Sequence, residues 1–188
     1  MNDIATETLN KIFSILAITS IGVSVVILQS YIFAKIFPTK LSLAKNFNKL
    51  IYDNSTTLSW AVATLATLGS LFYSEVSGFV PCTLCWYERI AMYPLVLILG
   101  IGILKKNKEI WIYGLPFSLI GLLISIYHYQ LQIFPNQKSV SCTTEASCSG
   151  SWIMEFGFVT MPFMALSTFL LISVLLLIPN INNLRKSI

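Results

Sequence analysis

Residues 82–104 read CTLCWYERIAMYPLVLILGIGIL. Two cysteines with two residues between them are followed by Trp86, Tyr87, Glu88 and Arg89, and then by an apolar stretch long enough to cross a bilayer, which takes about 20 residues. The same pattern of long apolar runs recurs on both sides. Lys11–Phe37, Thr57–Phe79, Leu84–Leu104, Ile110–Phe134 and Phe156–Ile178 give five runs of spanning length. In a chain of 188 residues, 55% are hydrophobic and only 11% charged, a balance rare in soluble domains. The expected fold is therefore an all-α membrane protein. It has a four-helix transmembrane bundle core and one additional N-terminal transmembrane helix. The leader MNDIATETLNK carries two acids and one lysine ahead of an apolar run too long for a signal sequence, so the first run reads as a retained helix.

Three parts are expected. Residues 1–56 hold the N-terminal helix and a basic connector, 57–180 the four-helix core, and 181–188 a short tail. The segment Pro38–Thr56 interleaves Leu41, Leu43, Phe47, Leu50 and Ile51 with lysines; it reads either as an amphipathic helix on the inner surface or as a plain basic connector.

The basic residues are unevenly placed. Lys40, Lys45 and Lys49 lie between runs one and two, Lys105, Lys106 and Lys108 between runs three and four, and Arg185 and Lys186 after run five. The other side holds only Lys11 and Lys138, with Arg89 just inside a helix. Positive charge stays cytoplasmic, so the N-terminus and all four cysteines are expected outside and the C-terminus inside. The net charge of +4 follows from this asymmetry and points to no nucleic-acid surface.

Outside the cytoplasmic membrane disulfides persist. Pro81 ends the preceding segment, placing Cys82 at a helix N-terminus and Cys85 one turn in. Unpaired backbone N–H groups there favour a thiolate, while surrounding lipid opposes it. Arg89 follows Cys85 by four residues and shares its helical face, where it would hold Cys85 as a thiolate or bind an anionic reduced cofactor; otherwise it snorkels to the headgroups. Glu88 reads as a structural pairing partner.

The second pair, Cys142 and Cys148, lies in the polar loop Pro135–Ser151, which must sit at or above the membrane surface. It reads as a static brace or, beside a CxxC, as an exposed disulfide that exchanges with it. A zinc site would need all four thiolates in a tetrahedron; the wide Cys142–Cys148 spacing and the oxidising compartment argue against it, and no metal is expected. His128 near the outward end of run four is either a hydrogen-bonded core histidine or, with Arg89 and a thiol, part of a pocket for an acceptor dissolved in the lipid. Gln130 and Gln132 face that pocket or bond across helices. Trp86, Tyr87, Tyr93, Tyr127, Tyr129 and Trp152 read mostly as an aromatic belt.

Taken together, residues 82–90 resemble the redox motif of the DsbB/BdbC family of membrane disulfide-bond oxidoreductases. His128–Pro135 is similar to the end of that family's third core helix, and Phe156–Pro162 to the start of its fourth. The likeness covers about residues 57–180, and the short Cys142–Cys148 loop resembles the BdbC-like branch. The resemblance implies a quinone (ubiquinone or menaquinone) as acceptor and a DsbA-like thioredoxin-fold protein as partner. It implies that Cys142 is the cysteine attacked by the partner, that Cys148 pairs transiently with Cys82, and that Cys85 faces the quinone beside Arg89 and His128. Two rival readings stand beside it. A vitamin K epoxide reductase-like enzyme would carry its loop cysteines before the CxxC, whereas here they follow. A non-enzymatic membrane subunit would carry two structural disulfides.

Overall fold

In a computed structural model that describes residues 2–36, 42–107, 109–134, 148, 150 and 153–187, the chain is an all-α bundle of five long helices. They are α1 (Asn2–Ile36), α2 (Ser42–Leu71, closed by a π-helical turn over Phe72–Val76), α3 (Thr83–Leu104), α4 (Trp111–Ile133) and α5 (Met161–Ser187). Within hydrocarbon a helix satisfies its own backbone, which is why each long apolar run takes this form. Among the described residues, four stretches are long and apolar enough to cross a membrane: Thr6–Phe33, Thr83–Leu104, Trp111–Ile133 and Met161–Ile181. The α2 stretch is less apolar because Ser59, Thr64, Thr67 and Ser70 fall within it. It nonetheless packs as a bundle member against α1, α3 and α5.

Contacts fix an up–down order. Near the start of α1, Thr6 meets Ser77 beyond the end of α2. Arg89 near the start of α3 meets Ser70 near the end of α2, and His128 near the end of α4 meets Cys82. The Tyr129 ring packs at a tilt against Phe163 at the start of α5, with centroids 5.4 Å apart. The start of α1, the end of α2, the start of α3, the end of α4 and the start of α5 thus share one end of the bundle. Lys35, Lys49, Lys105 and Lys106 belong to the opposite end.

The core lies between α3, α4 and α5, where Leu95, Leu99, Phe169, Ile172 and Leu176 are fully buried. Small residues let these helices approach closely. A Cβ placed on Gly121 would lie 2.2 Å from the Phe169 ring, and Ser173 donates to Ser118 across the same seam at 3.1 Å. Gly121→Ala should therefore cost about 1–3 kcal/mol through forced repacking. A clear fall in the midpoint of thermal unfolding in detergent is the expected readout; an unchanged midpoint would mean that the α4–α5 seam is looser than described.

Two boundaries differ from the sequence expectations. The segment from Ser42 to Thr56 is neither a separate surface helix nor a connector: it is the first half of α2. No proline or glycine interrupts the chain from Ser42 until Gly69, so nothing stops the helix. Leu50 there is exposed, Ile51 packs on the Ile27–Leu171–Leu175 cluster, and Leu41 and the side chains of Leu43 and Phe47 lie outside the described residues. The fifth run begins later than Phe156. Glu155 pairs with Val159 in a tight turn with positive φ at Phe156 and Gly157, and α5 starts only at Met161, with Pro162 in its first turn, where proline is tolerated.

Candidate active site

Cys82 is the N-cap of α3. Its extended backbone turns the chain into the helix, and its Sγ accepts a hydrogen bond from the Cys85 amide at 3.3 Å. Both cysteines are free thiols, with sulfurs 2.8 Å apart, well beyond the roughly 2.05 Å of a disulfide. Cys82 stands one residue ahead of the span, and its thiol is held well below the ordinary range. The largest cause is the hydrogen bond from the Cys85 thiol; burial opposes it, and His128 and the Cys85 amide add to it.

His128 is almost fully buried and bridges two groups. Its Nε2 lies 3.6 Å from Cys82 Sγ, and its Nδ1 lies 3.1 Å from Glu88 Oε1. With Nδ1–H donating to Glu88, Nε2 presents a lone pair to the Cys82 thiol, so a proton can pass from sulfur to ring while the carboxylate supports the imidazolium. Glu88, expected as a structural pairing partner, pairs with His128 on the next helix and stands about one turn from the dithiol on α3. An acid within an apolar run is the signal that could have flagged it.

Arg89 is engaged otherwise than the shared face with Cys85 suggested. Its Nε donates to Ser70 Oγ at 3.0 Å, an Nη donates to the Ser70 carbonyl at 3.0 Å, and its guanidinium lies 5.3 Å from the Trp86 ring centroid. Ser70, the α2 residue that orients it, carried no sequence signal.

Cys148 is buried and disulfide-bonded, and it packs in one cluster with Cys82, Leu84 and Leu131, with Cys85 at its margin. Cys142 lies outside the described residues, as do Lys138 and Trp152. Donor atoms of Cys82, Cys85 and His128 lie within 4.8 Å of one another. The four-thiolate cage weighed from the sequence is not formed there, because Cys148 is committed to a disulfide.

Cys82, Cys85, Arg89 and His128 all line one cavity of about 670 Å³ that draws on all five helices. Most of its wall is apolar. Tyr73 OH, Tyr93 OH and Gln132 Oε1 also belong to residues lining it, and each is buried without a hydrogen-bond partner among the described residues. Gln132 anchors its amide nitrogen on the Gly150 carbonyl at 3.0 Å. An apolar chamber with a few convergent polar atoms is the usual form of a site for a small hydrophobic molecule.

The profile of the family described as disulfide bond formation protein DsbB matches residues 53–178, about two thirds of the chain. This chain belongs to the DsbB family. Among DsbB-family relatives, disulfide bond formation protein C of Bacillus subtilis is 50% identical over 115 residues, covering 61% of this chain and 83% of the relative. A probable disulfide formation protein C 2 of Bacillus anthracis is 45% identical over 129 residues, covering 69% and 92%. A probable disulfide formation protein C of Halalkalibacterium halodurans is 50% identical over 116 residues, covering 61% and 84%. No solved structure matches the chain. As a DsbB-family protein it is a multi-pass membrane protein-disulfide oxidoreductase that forms disulfides, and the Cys82–Cys85 pair falls inside the matched region.

Proposed function

We propose that this protein reoxidises a DsbA-like thioredoxin-fold thiol oxidase outside the cytoplasmic (inner) membrane and passes the electron pair to a membrane quinone, ubiquinone or menaquinone. One observation carries the reading. A disulfide-bonded cysteine, Cys148, packs against a reduced dithiol, Cys82 and Cys85, at an apolar cavity that also presents Arg89 and His128. The redox core is residues 57–180, preceded in 1–56 by the added helix and the first half of α2 and followed by a short tail in 181–188. The end of the bundle bearing the cysteines faces outward and the lysine-bearing end faces the cytoplasm.

The thiol chemistry proceeds by exchange. In this reading Cys142 is the partner of Cys148, as the resemblance to the family implies. A partner thiolate attacks Cys142, and Cys148 leaves as thiolate. Cys148 attacks the Cys82–Cys85 disulfide at Cys82, and Cys85 leaves. The partner's second thiol then resolves its mixed disulfide and frees Cys142, which attacks Cys148 and expels Cys82. This restores the loop disulfide and leaves Cys82 and Cys85 reduced, the state described above. Cys82 is suited to leaving because its thiolate is stabilised, and low-pKa thiols leave faster. A quinone, when bound, would accept the two electrons and two protons released as the Cys82–Cys85 bond forms. The buried Tyr73 and Tyr93 hydroxyls and the Arg89 guanidinium are donors suited to its carbonyl oxygens, and His128 holds or yields a proton at Cys82.

Purified protein in lipid nanodiscs, given a reduced DsbA-like partner and a quinone, should form one quinol for each partner disulfide. Partner oxidation with no quinol, or quinol formation independent of partner thiols, would overturn the proposal.

A further inference from the structure

The family match begins at residue 53, so α1 stands outside it. A helix whose only task was anchoring would meet the bundle with any apolar face. α1 does otherwise. Ser14, Ala17, Ser24 and Ile27 are buried, while Ile12, Ile15, Ile18, Val25 and Val26 are exposed. The buried stripe is mostly small, the kind of face that lets membrane helices approach closely, and it packs on α2 and α5.

The seating of α1 is specific. Thr6 and Ser77 hydroxyls lie 3.2 Å apart. The Phe13 ring fills the space over Gly69, where a Cβ would come within 3.0 Å of it, and packs against Tyr73 with centroids 5.9 Å apart. From this position Phe13, Leu16, Ala17 and Ser20 line the same cavity as Cys85 and Arg89. Residues on the outer side of the same turns, Ile12, Ile15 and Ile18, are exposed. α1 therefore stands between the cavity and the lipid, and a bundle of α2–α5 alone would lack this wall.

We infer that α1 is part of the acceptor site: it encloses the cavity on its lipid side, and Phe13, Ala17 and Ser20 set the width available to a hydrophobic quinone with an alkyl or isoprenoid tail. The inference rests on the quinone reading above. Ala17 and Ser20 leave room for ring or chain, and Phe13 abuts Tyr73, whose buried unpartnered hydroxyl is a donor for a ring oxygen.

The test uses the full-length protein with Ala17→Phe and the milder Ser20→Leu, and with Ile18→Phe as a lipid-facing control. Two quantities are read: retention of decyl-ubiquinone by the purified protein in equilibrium dialysis, and the KM for that quinone during partner oxidation. Both cavity variants should weaken retention and raise the quinone KM about tenfold or more. The KM for the partner should stay unchanged, and Ile18→Phe should match the parent. If Ala17→Phe fails to accumulate, Ser20→Leu decides. A parent that reduces quinone alongside cavity variants indistinguishable from it would overturn the wall and leave the proposed function standing. A parent that neither retains nor reduces quinone would sink both.

Discussion

Cys85→Ser should abolish sustained oxidation of the thioredoxin-fold partner, by more than about three orders of magnitude, while the protein still accumulates in the membrane. The sulfur of Cys85 lies 2.8 Å from that of Cys82 and lines the cavity. Without it no disulfide can form at the helix N-terminus, and electrons that reach Cys82 have no exit. Serine is nearly isosteric and Cys85 is only partly buried, so folding should change little. The variant should also stall in a recognisable form. The Cys82 thiolate can still attack the loop disulfide at Cys148, its neighbour in the same packed cluster. That step frees Cys142, which alone can reverse it now that position 85 offers no thiol, so rapid alkylation of Cys142 traps the Cys82–Cys148 link. Peptide mapping under non-reducing conditions should find that link. Multiple turnovers by Cys85→Ser would exclude the dithiol as the route to the acceptor. A subunit merely braced by disulfides would instead lose abundance and show no change in redox traffic.

His128→Asn should slow partner oxidation about 10²-fold near pH 6 and much less near pH 9. The sign follows from the Cys82 environment. Its thiol pKa is lowered because hydrogen bonds from Cys85 and His128 stabilise the thiolate against the cost of burial. Removing the imidazole raises that pKa towards the ordinary value near 8.5. The thiolate fraction then falls at every pH between the two values, and the acidic limb of the pH–rate profile moves upward. Glu88→Gln should displace the limb in the same direction by less, because it weakens the support on Nδ1 while leaving Nε2 facing the sulfur. Asparagine is chosen to leave a polar partner for the buried Glu88. Comparing each variant with the parent cancels the titration of the partner's own thiols. Superimposable profiles for parent and His128→Asn would remove the imidazole from the proton path.

Much of this arrangement could be read before the structure, and the reasons differ from residue to residue. Long apolar runs specify helices because lipid offers the backbone no alternative. Pro81 and the cysteine spacing located the α3 N-terminus, where Cys82 is the N-cap. His128 was singled out by its place near the end of run four, and it does reach Cys82. What escaped depends on contacts between distant segments. Glu88 meets His128 across 40 residues of sequence, and Arg89, besides lying near Trp86 on its own helix, reaches across to Ser70 on α2. The small-residue face of α1 was hidden by its overall apolarity; only the neighbours on α2 and α5 show which side is inward. The tight turn at Glu155–Val159 was masked by Phe156 and Phe158, which extend the apolar run without being helical.

The unbroken course of α2 has a practical bearing on chimeras. At 30 residues it is a rod about 45 Å long, and the boundary after residue 56 falls in its middle. A graft joined there would strand several carbonyls and amides of the cut ladder. Exchange of the leading helix with a four-helix homologue therefore belongs upstream of Ser42, where each rod can be traded whole.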